Sequence, residues 1–112
     1  MSCRIIPAPR FQRDVKFLKN KYRNIISDLD EFNTILSDNP FYGEAIPGLE
    51  GKVFKARLAS SDMKSGKSKG YRIIYSFLER ENTIYLLTMY AKAYKENIYV
   101  AEIKEMISKC EL

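Results

Sequence analysis

The side chains able to do chemistry in this 112-residue chain are few in kind. There is no histidine, so the commonest general acid–base and the commonest metal ligand are both missing. The carboxylates show no paired spacing of the sort a metal site needs, and most belong to helices or turns where a solvated role is the default. The expectation is a chemistry with no metal and no cofactor. The chain contains no GxxxxGKS/T loop, no GxGxxG and no GxSxG elbow. Gly66-Lys67-Ser68 has the ending of a phosphate loop but lacks its first glycine and lies between two strand patterns. Lysine, arginine and tyrosine remain.

The cations are unevenly placed. The net charge is +5, and from Lys52 to Arg72 the cations Lys52, Lys55, Arg57, Lys64, Lys67, Lys69 and Arg72 face one anion, Asp62. That segment therefore carries a surplus of +6 and the rest of the chain is nearly neutral. A localised basic face suits a phosphate-rich partner, although an unplaced charge run is more often a solvated loop that aids solubility. Strand alternation sharpens the question. It puts Lys55 and Arg57 on one face of a strand and Arg72, Ile74 and Ser76 on one face of the next. If Arg72 turns the same way as Lys55 and Arg57, three cations converge, repel one another and favour an anion between them. Such repulsion also lowers a lysine's pKa toward the range of a usable base. The competing reading is that these cations guard a sheet edge against unwanted pairing. Tyr90, Tyr94 and Tyr99 come next in the chain, as rings able to stack on unpaired bases or as half-buried core residues.

Positioning these residues requires a framework, and the apolar periods supply one. Cys3 to Ile6, ending at Pro7, reads as an edge strand. Phe11, Val15, Leu18 and Tyr22, then Ile25, Leu29, Phe32 and Leu36, keep a helical period as two helices or one bent helix over 10–38. Asp38-Asn39-Pro40 stops it. Gly43, Pro47, Gly48 and Gly51 mark a loop. The period then changes to two: Phe54, Ala56 and Leu58 alternate with Lys55 and Arg57. Residues 60–70 read as a long hairpin loop, 71–78 as a strand, 79–82 as a turn and 83–90 as a nearly all-apolar, central strand. Asn97 is placed to cap a last helix with Ile103, Met106, Ile107 and Cys110 on its buried stripe. The order predicts one α+β domain over 1–112, with helices packed on a mostly antiparallel sheet. Cys3 and Cys110 read as small, partly buried fillers. Without a membrane-length apolar run or a signal-peptide pattern, a cytoplasmic protein is expected.

Several segments together resemble the RelE/HigB toxins of type II toxin–antitoxin systems. They are Val53–Leu58 (VFKARL), the lysine-rich loop 64–69, Gly70-Tyr71-Arg72-Ile73-Ile74-Tyr75, and Leu86-Leu87-Thr88-Met89-Tyr90-Ala91-Lys92. Asp38-Asn39-Pro40 and Glu96-Asn97-Ile98 also fit. The similarity runs over about residues 9–108, and the loop followed by GYR is nearer the HigB-like branch. The resemblance implies a small RelE-like fold and a metal-free endoribonuclease that cuts translated mRNA on the ribosome. In that reaction the 2′-hydroxyl attacks the adjacent phosphate, leaving a cyclic phosphate and a 5′-hydroxyl. It also implies a cognate antitoxin partner. Carried over by position, Lys55 or Arg57 activates the nucleophile, with lysine the better base. Arg72 holds the scissile phosphate, and Tyr99 stacks on a base or assists proton transfer. Lys52, Lys64, Lys67, Lys69, Lys92 and Lys95 would contact RNA. One departure is that Ala93 stands where RelE-type proteins carry a further catalytic arginine, so Lys92 or Lys95 must supply that charge or the activity is weakened. Two other functions suit this architecture: a ParE-like DNA gyrase inhibitor, and an RNA-binding relative without catalysis.

Overall fold

A computed structural model describes residues 2–62, 70–95 and 97–110. The chain runs β1 (Arg4–Pro7), α1 (Pro9–Lys19), α2 (Ile25–Asp38), β2 (Glu44–Ala45), β3 (Val53–Leu58), β4 (Tyr71–Leu78), a 3₁₀ turn (Glu79–Glu81), β5 (Thr83–Ala91) and α3 (Val100–Lys109). Five strands form one sheet in the order β1-β5-β4-β3-β2. Among the described strands only β1 and β5 run parallel; the other pairs are antiparallel. This is the α+β arrangement that the sequence predicts, with two separate helices before the hairpins and β5 inside the sheet. The two-residue strand β2 is an addition: Glu44-Ala45 has no period to betray it, and it flanks β3 on the side away from β4.

Each sheet face packs differently. Toward α1 and α2 lie Phe54 and Ala56 of β3, Tyr71, Ile73, Tyr75 and Phe77 of β4, and Ile84, Leu86 and Met89 of β5. The helices answer with Phe11, Leu18, Ile25, Leu29, Phe32 and Leu36, the positions expected from a 3.6-residue repeat. The opposite face holds a smaller cluster in which Val53, Ile74, Leu87 and Tyr90 meet Ile103 and Met106 of α3.

The hairpin between β3 and β4 depends on Gly70. A Cβ there would stand 2.2 Å from the Leu58 carbonyl oxygen, so only glycine lets β4 begin this close to the end of β3. The outgoing loop is fastened to the start of α2: the Ser61 N–H donates to the Asp28 carboxylate at 3.0 Å, and the Asn24 N–H to Asp62 at 2.9 Å. Residues 63–69 lie outside the described part of the chain, so the structure assigns no place to Lys64, Lys67 or Lys69.

One irregularity decides which side chains reach the α3 face. In β5, Leu86 stands opposite Tyr75 while Thr88 stands opposite Ile74, which leaves Leu87 as the extra residue of a β-bulge. Before the bulge the even-numbered Ile84 and Leu86 face α1 and α2; after it the odd-numbered Met89 and Ala91 do. A shift of one residue exchanges the faces of everything downstream. Tyr90 consequently turns to the α3 side. Asp14 of α1 secures the bulge, its carboxylate accepting from the Thr88 hydroxyl and from the Met89 N–H at 3.2 Å.

Candidate functional site: a cationic row on the sheet

Alternation within β3 puts Lys55 and Arg57 on the same face, as the sequence predicts, and pairing adds what alternation could not. Arg57 stands directly opposite Arg72, and Arg72 directly opposite Tyr90, so three strands contribute one row of side chains. Directly opposed Cβ atoms are about 4.5–5.5 Å apart, and like charges in that relation repel. Arg57 is exposed, whereas Arg72 retains only 4% of its accessible surface. An Arg72 Nη1 group donates to the Tyr71 carbonyl at 3.1 Å. Burial, followed by the Arg57 charge, holds the Arg72 guanidinium below its usual pKa. The predicted convergence of cations is therefore present, and its electrostatic strain falls on Arg72.

Lys55 is half-buried in the neighbouring row, opposite Ile74 on one side and Glu44 on the other. With Tyr42, Gly43, Glu44 and Ala56, Lys55 and Arg57 line a shallow cleft beside β2. β2 pairs with β3 at Phe54 and Lys55, so Lys55 does not guard a bare sheet edge, whereas Arg57 lies past the paired residues. Glu44 went unnoticed in the sequence because the two-residue strand carrying it has no pattern, and only pairing brings its carboxylate to the cation face.

Tyr90 is buried, with 8% of its surface accessible, and its hydroxyl has no hydrogen-bond partner among the described residues. Burial raises its pKa, and the nearby Arg72 charge partly offsets that rise. The Lys95 ammonium lies 5.8 Å from the Tyr90 ring centroid and 3.4 Å from the Glu102 carboxylate. It gets there because the chain turns sharply after β5, with the Tyr94 and Lys95 N–H groups both donating to the Ala91 carbonyl. Lys95 thus brings a charge to the end of the row, while Ala93 is exposed on the same turn. Lys92 is half-buried on that turn, its N–H bonded to the Gly70 carbonyl.

Other predicted site residues stand apart. Lys52 precedes β3 and pairs with Glu50 at 3.6 Å. Five residues separate it from Arg57, roughly 16 Å at a strand's ~3.3 Å rise per residue. Its carbonyl, meanwhile, ties the strands by accepting from Phe77 N–H and the Ser76 hydroxyl. Tyr99 is 75% exposed at the N-cap of α3, and Tyr94 is 56% exposed, so neither is the half-buried core residue that the alternative reading expected. Tyr94 instead bonds through its hydroxyl to the Lys21 ammonium, which raises the lysine pKa and lowers the tyrosine's. The expected Asn97 cap is also corrected. The helix starts at Val100, behind an extended Tyr99 that makes no side-chain capping bond. Ile103 and Met106, buried against the sheet, mark where its packing begins.

Among the described residues no group of three or more His, Cys, Asp or Glu side chains is arranged to hold a metal ion. No described helix is long and apolar enough to cross a membrane.

No protein-family model matches the chain. Solved structures do. The toxin–antitoxin complex RelBE2 from Mycobacterium tuberculosis contains a chain that superposes with a TM-score of 0.62 at 19% identity, over 81% of this chain and 99% of that one. The isolated RelE toxin of E. coli superposes at 0.57 with 12% identity, over 97% and 99%. The free E. coli RelE variant with two arginines replaced by alanine gives 0.57 at 16% identity, over 86% and 90%. This is the RelE toxin fold. At such identities the likeness establishes the RelE-like architecture, and the chemistry must be argued from this chain's own side chains.

Proposed function

We propose that this RelE-like protein is the toxin of a toxin–antitoxin pair and a metal-independent endoribonuclease that cuts translated mRNA on the ribosome. The observation that carries the reading is the Arg57–Arg72 pair, two cations directly opposed on one sheet face with Arg72 buried. Burying a guanidinium beside another costs stability, and a phosphodiester seated between them offsets that cost. Arg72 clamps the scissile phosphate and stabilises the charge that develops on it. Lys55 or Arg57 draws the proton from the 2′-hydroxyl, whose oxygen then attacks the adjacent phosphorus. The 5′-oxygen leaves and takes up a proton, giving a cyclic phosphate and a 5′-hydroxyl. Lys95 supplies positive charge in place of the arginine missing at Ala93, and Lys92 and the cations of loop 64–69 contact the RNA backbone. Tyr99, exposed at the start of α3, offers its ring to a base. The partner in the M. tuberculosis complex supports a cognate antitoxin here.

The test is 5′-end mapping of cellular RNA after a brief induced pulse, with Arg57→Ala and Arg72→Ala compared and their folding checked by circular dichroism. New ends inside translated frames, absent from untranslated RNA and from folded variants, are the expected result. Growth arrest without new ends overturns the ribonuclease reading and directs attention to DNA gyrase.

A further inference from the structure

The cationic row ends on a residue that neither the charge pattern nor the resemblance singles out as phosphate-binding. Tyr90 lies in an apolar cluster with Leu87, Ile103 and Met106, surroundings that phenylalanine would fill without leaving a polar atom inside. Its hydroxyl is nevertheless buried and lacks a hydrogen-bond partner among the described residues. Native proteins pair nearly all such groups, so an orphan calls for a physical reason. The bulge at Leu87 is a second observation. Without it Tyr90 would share the face of Met89's core; with it Tyr90 opposes Arg72. The strand breaks its regular pairing, and α1 commits Asp14 to securing the break, with the result that a tyrosine stands beside a buried arginine.

We propose that Tyr90 is a phosphate-binding residue of this site, its hydroxyl donating to the same phosphodiester that Arg72 binds. The proposal rests on the reading of the Arg57–Arg72 face as an RNA-phosphate site and adds the donor that gives it direction. Arginine supplies charge and a planar fork, while a phenol from the neighbouring strand adds a neutral donor from a second direction. A phenol is protonated at neutral pH, and burial moves its pKa further up, so the hydroxyl is available to donate. The Lys95 ammonium stands 5.8 Å from the ring centroid and is paired with Glu102 at 3.4 Å, so it adds a further positive charge beside the phosphate that Tyr90 and Arg72 bind.

The experiment compares wild type with Tyr90→Phe, which deletes one oxygen and keeps the ring. Affinity for a fluorescent 2′-O-methyl RNA oligonucleotide, which binds but cannot be cut, is read by anisotropy, and stability by thermal melting. The expected result has opposite signs: affinity falls about tenfold or more, as for a lost bond to a charged group, while the melting temperature holds or rises. Unchanged affinity, a lowered melting temperature with unchanged affinity, loss of the fold, or a wild type that does not bind the oligonucleotide each overturns the proposal. The two readings fail separately. A wild type that binds through Tyr90 but cuts no mRNA refutes the ribonuclease and leaves the phosphate site. A wild type that cuts mRNA while Tyr90→Phe binds and cuts equally refutes the role of Tyr90.

Discussion

Three tyrosines are buried in the sheet, and the two faces treat them differently. On the side of α1 and α2, the Tyr71 hydroxyl shares a hydrogen bond with Ser60 at 3.0 Å. The Tyr75 hydroxyl accepts from the Gly43 N–H at 2.8 Å and donates to the Pro40 carbonyl at 2.9 Å. On the side of α3, Tyr90 has no such partner among the described residues and sits next to Arg72, itself opposed by Arg57. One face is built to lower its own free energy. The other keeps a buried hydroxyl with no partner among the described residues and two directly opposed cations, an arrangement that a bound anion would stabilise. Departure from local optimality is what marks the candidate site, more than its charge count does.

That contrast can be broken experimentally. The largest effect is expected on the packed face: Phe32→Ala, at a fully buried position, should cost about 3–5 kcal/mol in urea unfolding. Tyr75→Phe should cost about 1–3 kcal/mol, because Gly43 N–H and the Pro40 carbonyl each lose a partner. Tyr90→Phe, the same chemical change on the other face, should cost nothing; if both substitutions destabilise equally, the distinction between the faces collapses. Alkaline titration sharpens it further. Burial raises Tyr71 and Tyr75 to about 12 from the ordinary 10.0. Their protonated forms stabilise the fold fully below pH 10, and that contribution drains away as pH climbs toward 12 and the unfolded chain ionises first. Melting temperature should fall across that window, with two phenols ionising late in the absorbance titration. A small effect of opposite sign is expected for Arg57→Ala, which should leave stability unchanged or raise it by up to about 1 kcal/mol, since it removes a like charge opposite Arg72. A clear loss of stability would show that Arg57 serves the fold.

The periods that sort these faces were largely visible in the chain itself. Phe54 and Ala56 against Lys55 and Arg57 announce a half-covered strand, and Ile25, Leu29, Phe32 and Leu36 announce a helix stripe, because side-chain direction follows the repeat. Pairing is a different matter. That Arg57 meets Arg72 and not a neighbour depends on hairpin register, which no local repeat encodes across a long loop. In Thr83–Ala91 nearly every residue is apolar, so the exchange of faces at Leu87 leaves no trace in the pattern, and Tyr90 looks like any core tyrosine. Asn97 shows the opposite failure: a residue with good capping chemistry stands near a helix whose packing starts later.

The parallel strand at the front of the chain has a temporal consequence. Among the described strands β1 pairs with β5 alone, and its flank is tied by Cys3 to Asn82, 79 residues away. At synthesis rates of ~5–20 residues per second, β1 and the apolar stripes of α1 and α2 wait about 4–16 s for the strand that completes their sheet. Contacts this distant in sequence also close slowly. Arg57 and Arg72 are translated before Tyr90 and its bulge exist to finish the row, so a shortened chain would carry the charges without the assembled site. For a protein whose proposed target is the translating ribosome, that delay defers a working site until β5 and its bulge have been made.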